Sequence, residues 1–137
     1  MSEYRPWLIC TEINEAIPPP VLFTVKYAAD HFWVGDHFQG QSISKCNQLC
    51  DKYSYYIVKL TYNNLFLIPS ERNTFPRLTP EDAYNIGYKN RIDRRKKFPQ
   101  NADVEVLLTM SREDIITFLD ATFSKYKGRY SLRMDAN

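Results

Sequence analysis

The chain has 137 residues, 44% of them hydrophobic and 25% charged, with a formal net charge of +2. This size and balance are typical of a folded domain with its own core and exclude a disordered tail. No stretch approaches the ~20 apolar residues of a membrane-spanning helix, and the N-terminal residues lack the apolar region of a signal peptide. Because the three cysteines are an odd number, we expect reduced thiols and a cytoplasmic protein without membrane contact.

Strands are predicted on either side of a proline connector near the N-terminus. Residues Trp7–Ile13 and Val21–Tyr27 are rich in β-branched and aromatic side chains, which favours strands. Pro18-Pro19-Pro20 lies between them and predicts an extended connector, because proline fits neither a helix interior nor a central strand. In Asp30–Phe38, two large apolar residues precede a Gly35-Asp36 turn, and we expect a short strand after it.

A helix and a β-hairpin follow. Ser44 is the predicted N-cap of a helix over Lys45–Lys52, whose apolar stripe has helical spacing and contains Cys46, Leu49, Cys50 and Tyr53. The hairpin spans Tyr55–Ile68 and is the strongest folding signal of the chain. We predict that Tyr56, Val58, Leu60 and Tyr62 share one face, that Asn63-Asn64 form the turn, that the second strand is buried on both faces, and that Pro69 ends it.

Two capped helices are predicted in the second half of the chain. Thr79-Pro80-Glu81-Asp82 begins the first, which we expect Gly87 to end in the left-handed conformation. Ser111 caps the second, which runs to about Lys127 before Gly128. Its inward face is expected to hold Ile115, Ile116, Leu119 and Phe123.

Strands are predicted before and after the last helix, over Val104–Leu108 and Arg129–Met134. Strands and helices therefore interleave without the regularity of βαβ units. We predict one α+β domain over residues 1–137, with a mixed or antiparallel sheet and two or three helices.

The positive charge is concentrated in residues 89–97, where six cations accompany Asp93 and give a local charge of +5. The rest of the chain therefore carries −3. Such a run can neutralise phosphates, and neighbouring aromatic residues can stack on bases. We predict a non-enzymatic nucleic-acid-binding module for RNA or single strands; a solvated surface is the alternative. The predicted site contains Lys89, Arg91, Arg94, Arg95, Lys96, Lys97, Tyr88 and Phe98.

A second hypothesis is a protein-binding factor, such as a small regulator or inhibitor of a larger machine, for example a viral one. In it, exposed aromatic residues such as Tyr4, Trp33 and Phe38 anchor an acidic protein partner, and the basic run steers association.

Metal and covalent chemistry receive little support from the sequence. His31, His37, Cys46 and Cys50 could supply four zinc ligands, but the cysteine spacing is Cys-x-x-x-Cys rather than Cys-x-x-Cys, and both cysteines fit the apolar stripe of their helix. No nucleophile signature surrounds Cys10. We therefore predict no catalytic residue, metal or cofactor.

Two segments resemble the ASCH branch of the PUA-like small β-barrels. In Phe23–Phe38, a strand with a basic end leads to an aromatic-x-Val-Gly-Asp turn and a new strand, as in ASCH-type proteins. In Leu78–Tyr88, a capped helix ending in Gly-aromatic resembles the helix that such proteins insert after a barrel strand. The resemblance implies a sheet that curls towards a small barrel, with a cleft of the kind that the family uses for RNA or modified bases.

The functional pattern of that family, Gly-x-Lys-x-x-Glu-x-Arg, would fall on Pro19–Lys26. Here Pro19, Val21 and Thr24 replace the glycine, lysine and glutamate, and only Lys26 is a conservative match. The family's hydrolytic and nucleobase-binding residues are therefore not carried over. An ASCH-like hydrolase is the second alternative, and it requires His31 or His37 to lie beside a carboxylate or Cys10.

Overall fold

Five β-strands form two antiparallel sheets in the computed structural model, which describes residues 4–136. The strands are β1 (Ile9–Glu12), β2 (Val21–Val25), β3 (Tyr55–Thr61), β4 (Asn64–Pro69) and β5 (Tyr130–Met134). One sheet has the order β1-β4-β3, and the other pairs β2 with β5. The α+β prediction is confirmed and the pairing is antiparallel, but within residues 4–136 the strands do not close into a barrel.

Helical segments of several kinds connect the strands. They are α1 (Ile43–Tyr53), α2 (Pro80–Tyr84), a π-helical turn (Asn85–Lys89), α3 (Arg94–Lys97), α4 (Arg112–Thr122) and 3-10 segments at Ser70–Arg72, Pro99–Leu108 and Ser124–Tyr126. The predicted caps Thr79 and Ser111 are confirmed, since each hydroxyl accepts a hydrogen bond from the backbone N–H three residues on. The N-cap of α1 is Ser42 rather than the predicted Ser44.

Ser42 also joins α1 to β2. Its buried hydroxyl accepts hydrogen bonds from the backbone N–H groups of Lys45 (3.3 Å) and Phe23 (3.1 Å). The same hydroxyl donates to the carbonyl oxygen of Val21 at 2.6 Å. One side chain therefore satisfies a helix end and a strand at once.

The β3–β4 hairpin is confirmed, but its turn lies one residue earlier than predicted. Thr61 pairs with Asn64, so Tyr62 and Asn63 form the turn, and Tyr62 adopts a φ of +58°. A bulge between Ile57 and Lys59 shifts the alternation of side chains. Tyr55 and Ile57 are buried rather than Tyr56 and Val58, and the bulge brings Leu60, from the predicted set, to the same buried face as Tyr55 and Ile57. In β4, alternate residues are buried, so the strand has one buried face rather than two.

Other sequence predictions are corrected by the structure. Val104–Leu108 lies in a 3-10 helix that begins at Pro99, so apolar content alone gave the wrong element there. The loop that ends at Phe38 contains no regular strand. The last helix ends at Thr122 and continues as a 3-10 turn, with Gly128 at a φ of +84° before the confirmed strand β5.

The prediction that Gly87 ends α2 in the left-handed conformation is wrong. It lies inside the π-helical turn, where a Cβ atom would be 2.2 Å from the carbonyl oxygen of Leu60. The Gly87 carbonyl in turn accepts a hydrogen bond from the Tyr62 N–H at 2.9 Å. Glycine is required here by the close approach of two backbones, because any larger residue would collide with β3.

Two hydrophobic clusters fill the interior. The first packs α1 and α2 on the three-stranded sheet, and the second packs α4 and the 3-10 helix on the two-stranded sheet. The buried segment 13–17 passes between them, and its polar groups are satisfied locally: Asn14 Nδ2 donates to the carbonyls of His37 and Gln39. This segment positions Glu15 in the interior, beside a cleft of about 630 Å³.

Candidate functional site

Arg94, at the centre of the basic run, points into the protein. Only 12% of its side chain is exposed, and its Nε and Nη2 atoms contact the two carboxylate oxygens of Glu105 at 3.2 and 2.8 Å. Its Nη1 atom donates to the carbonyl oxygen of Lys89. This bidentate pair anchors α3 to the 3-10 helix, so Arg94 has a structural role and not the predicted contact with a ligand.

Arg91 and Lys97 converge on one aromatic ring, that of Tyr62 in the hairpin turn. The Arg91 guanidinium carbon is 4.2 Å from the ring centroid, and the Lys97 ammonium nitrogen is 4.9 Å from it. The Tyr62 hydroxyl accepts a hydrogen bond from Arg91 and donates one to Asp93 at 2.6 Å. That hydrogen bond lowers the pKa of Asp93, and nearby cations lower it further. The carboxylate thus holds the ring and the cations together.

The two predicted stacking residues have different environments. Tyr88 is 2% exposed and packs in the first hydrophobic cluster, and burial raises the pKa of its hydroxyl. Its ring has no free face for a base, which corrects the predicted role. Phe98 is half-buried, with its ring centroid 5.9 Å from that of Tyr62. Of the two predicted rings, Phe98 is therefore the one that borders the surface cations.

The remaining three cations have different environments. Lys89 is half-buried beside the proline connector, away from Tyr62. Arg95 is 80% exposed and lies 3.8 Å from Glu105, and Lys96 is exposed. We use the term cationic surface for the exposed part of the predicted site and the rings beside it: Arg91, Arg95, Lys96, Lys97, Tyr62 and Phe98. We expected Tyr62 in the hairpin and not in the site. Its position in the turn brings it beside α3, which lies far from it in the sequence.

A large cleft adjoins Phe98 and is acidic. It has a volume of about 630 Å³, and no Lys or Arg is among its lining residues. Its carboxylates are those of Glu12, Glu15, Asp36 and Asp103, and His37, Trp33, Gln39, Asn63, Gln100 and Asn101 complete its polar lining. We call this the acidic cleft. His37 Nε2 lies 2.8 Å from Asp103 Oδ1 there, as the hydrolase alternative requires of one histidine.

Glu15 is the most deeply placed carboxylate of the cleft, with 4% of the residue exposed. Its Oε1 atom accepts a hydrogen bond from Asn101 Nδ2 at 3.1 Å, and Asn101 also donates to the Tyr88 hydroxyl at 3.0 Å. The Tyr84 hydroxyl donates to the Glu15 carbonyl oxygen at 2.6 Å. One feature of the sequence marks this residue: Glu15 is a charged residue within the otherwise largely apolar segment 13–17.

The four candidate zinc ligands do not assemble. Cys46 and Cys50 lie in the first hydrophobic cluster, where burial raises the pKa of Cys46 to about 12 and that of Cys50 to about 11. His31 instead contacts Arg129, and His37 contacts Asp103. Within residues 4–136, no three His, Cys, Asp or Glu side chains come together as a metal site would require.

The aromatic residues proposed as protein anchors also differ in exposure. Tyr4 is 77% exposed and Trp33 is 59% exposed. Phe38 is fully buried, with its ring stacked on Tyr126 at 3.9 Å between centroids, so it cannot anchor a partner. In the same loop, Tyr27 and Phe32 are more exposed than either predicted anchor, at 93% and 80%.

No known protein family, curated protein or solved structure matches this chain. The ASCH resemblance therefore stays a prediction from two short segments. In the part of the chain that the structure describes, no helix has the length and apolar character needed to cross a lipid bilayer.

Proposed function

We propose that the protein binds single-stranded nucleic acid through the cationic surface. The observation that carries the proposal is the convergence of Arg91 and Lys97 on the Tyr62 ring, at 4.2 and 4.9 Å from its centroid. Cations for phosphates thus lie beside the half-buried Phe98 ring, whose centroid is 5.9 Å from that of Tyr62, and cations next to an aromatic ring are the combination that single-strand binding uses.

The acidic cleft supports the choice of this surface for the nucleic acid. Its carboxylates repel phosphates, which favours binding of the strand's backbone at the exposed cations Arg95, Lys96 and Lys97 instead. Arg94 contributes no net charge to the cationic surface, because its carboxylate partner neutralises it. Four exposed cations therefore remain to contact phosphates, and Asp93, 3.9 Å from Arg91, offsets one of their charges.

The experiment measures fluorescence anisotropy of a labelled single-stranded oligonucleotide at several salt concentrations. With up to four phosphates neutralised, we expect the logarithm of affinity to fall against the logarithm of salt concentration with a slope of up to about −3. The variant that carries Arg91→Gln, Arg95→Gln, Lys96→Gln and Lys97→Gln should lose at least about tenfold in affinity and most of the slope.

The matched control is Arg112→Gln with Lys127→Gln, which removes two exposed cations on and just after α4, outside the cationic surface. Its affinity for the oligonucleotide should change only by the small amount expected from the removal of two charges elsewhere on the protein. Unchanged affinity in the fourfold variant would refute the proposal. Polyglutamate of similar charge serves as a competitor: if it displaces the oligonucleotide as well as unlabelled DNA does, the surface recognises charge alone and not bases.

A protein-binding role is the second candidate, and the exposed loop favours it. Tyr27, Phe32, Trp33 and Val34 all expose more than half of their surface in one short segment, and exposed apolar clusters of this kind mark interaction sites. A protein partner held there would survive nuclease treatment and would be lost in a Tyr27→Ser, Phe32→Ser variant. The fourfold charge variant would retain it, which separates the two candidates.

A further inference from the structure

The acidic cleft contains a buried carboxylate with unused hydrogen-bonding capacity. Glu15 is 96% buried by area, yet its only side-chain hydrogen bond in residues 4–136 is the one that Oε1 accepts from the neutral amide of Asn101. No buried side-chain oxygen lacks a partner in this part of the chain, so the second oxygen, Oε2, reaches solvent. The cleft that Glu15 lines provides that access.

A buried carboxylate of this kind favours a cationic partner. Removing a carboxylate from water is unfavourable unless a cation or several hydrogen-bond donors compensate. Here a single amide donor contacts the carboxylate, which leaves most of that cost uncompensated. Glu15 forms no salt bridge within the described residues. The amide cannot turn freely to provide more, because Asn101 is also fixed by the Tyr88 hydroxyl.

The surroundings of Glu15 have the charge and shape for such a partner. Glu12 adds negative charge, whereas Asp103 contacts His37 Nε2 at 2.8 Å and Asp36 is partly compensated by the Lys125 ammonium at 3.7 Å. Trp33 stands in the lining and is fixed by the hydrogen bond from its indole N–H to the Asp36 carbonyl at 2.7 Å. An aromatic ring beside carboxylates attracts a cation through its π face. The volume of about 630 Å³ is within the usual range for small-ligand pockets.

We propose that the acidic cleft is a binding site for an organic cation, with a guanidinium or ammonium group seated on the Glu15 carboxylate. The cation donates hydrogen bonds to Oε2, and Asn101 keeps the carboxylate in place. Trp33 and Phe98 flank the apolar part of the ligand. The site shares only Phe98 with the cationic surface, and its charge is the opposite, so it does not depend on nucleic-acid binding there.

Isothermal titration calorimetry with agmatine, which carries a guanidinium and an ammonium group, tests the proposal. Binding is expected at micromolar to low-millimolar concentration, whereas 1,4-butanediol and succinate should not bind. Glu15→Gln keeps the size of the side chain and should weaken agmatine binding at least tenfold. Glu113→Gln, an exposed carboxylate at the start of α4, is the matched control and should leave binding unchanged.

Two further measurements test whether the cation binds in the acidic cleft. Asp103→Asn changes a carboxylate whose side chain is 71% exposed, so it tests the cleft without disturbing the core; we expect about threefold weaker binding because one longer-range charge is lost. In a Trp7→Phe variant, agmatine should change the fluorescence of the remaining Trp33.

Several results would overturn the proposal. They are absence of agmatine binding at about 10 mM, well above the range expected for a specific site, equal binding of 1,4-butanediol, and agmatine affinity in Glu15→Gln within twofold of the unaltered protein. Unchanged Trp33 fluorescence on saturation would also place the cation elsewhere and refute the site.

Discussion

The cationic surface and the acidic cleft both border Phe98, but their charges are assembled in different ways. The cations of the surface come from residues 91–97 and extend into solvent, apart from their contacts with Tyr62, Asp93 and Glu105. The carboxylates of the cleft come from positions 12, 15, 36 and 103 and are brought together only by the fold. Density of charge along the chain and density of charge in space are therefore different quantities in this protein.

The difference has energetic consequences. Exposed charges interact weakly through water and are screened by salt, so single substitutions among them should hardly affect stability. Groups buried beneath them are held by specific contacts and tolerate little change. Three predictions test this division between an adaptable surface and a fixed support, in order of decreasing effect.

Gly87→Ala should have the largest effect on stability, because it disturbs the buried groups that support the cationic surface. The new Cβ atom would be 2.2 Å from the Leu60 carbonyl oxygen, and relief requires the π-helical turn to move away from β3. We expect a loss of about 3 kcal/mol or more in the free energy of unfolding, measured by urea denaturation.

Ile86→Ala is the control for that substitution. Ile86 is the neighbouring residue and is 68% exposed, so its truncation should change stability by less than about 0.5 kcal/mol. A Gly87→Ala protein as stable as the control would show that the turn is not fixed against the sheet.

Arg94→Ala should have the next largest effect and separates this arginine from its neighbours. The change leaves Glu105, whose side chain is 23% exposed, without its bidentate partner, and we expect a loss of about 2 kcal/mol. Arg95→Ala, adjacent in sequence but 80% exposed, should cost less than about 0.5 kcal/mol. Equal costs for the two variants in thermal or urea unfolding would contradict the structural role of Arg94.

Tyr62→Phe should have the smallest effect and is best detected by titration. Removal of the hydroxyl removes the main cause of the lowered pKa of Asp93, so that pKa should rise towards the ordinary value of about 3.9. The stabilisation that the ionised Asp93 provides is present above its unfolded-state pKa and is lost as the pH falls through the folded-state pKa. The two proteins should therefore differ above the unfolded-state pKa and become similar in strong acid.

NMR titration of the Asp93 carboxyl carbon measures this shift directly. Tyr56→Phe alters a tyrosine of the same hairpin that contacts Arg77 instead, and it should leave the Asp93 pKa unchanged. An unchanged pKa in Tyr62→Phe would contradict the assigned hydrogen bond.

Local patterns in the sequence predicted the elements well where local chemistry determines them. Thr79 and Ser111 cap their helices as expected, and the β-branched segment before Tyr27 forms β2. The failures came from long-range effects. The bulge after Ile57 changes which residues of β3 are buried, and Gly87 is constrained by Leu60, 27 positions earlier, rather than by its own helix. Neither effect has a signature within a short window of sequence.

The candidate site was predictable only in part for the same reason. The run at 89–97 was visible as a charge cluster, but the contacts that turn Arg94 inward and bury Tyr88 depend on Glu105 and Asn101. Tyr62 entered the site through its place in the hairpin turn. The four carboxylates of the cleft could not be grouped in advance, because no spacing rule joins positions so far apart.

Ser42 links the formation of the two halves of the protein. Its hydroxyl satisfies the first turn of α1, which packs on one sheet, and it simultaneously bonds to β2 in the other sheet. If either α1 or β2 unfolds, this buried hydroxyl loses part of its hydrogen bonding. Denaturation should consequently proceed as one cooperative transition, so that spectroscopic signals from both hydrophobic clusters disappear together and not in two stages.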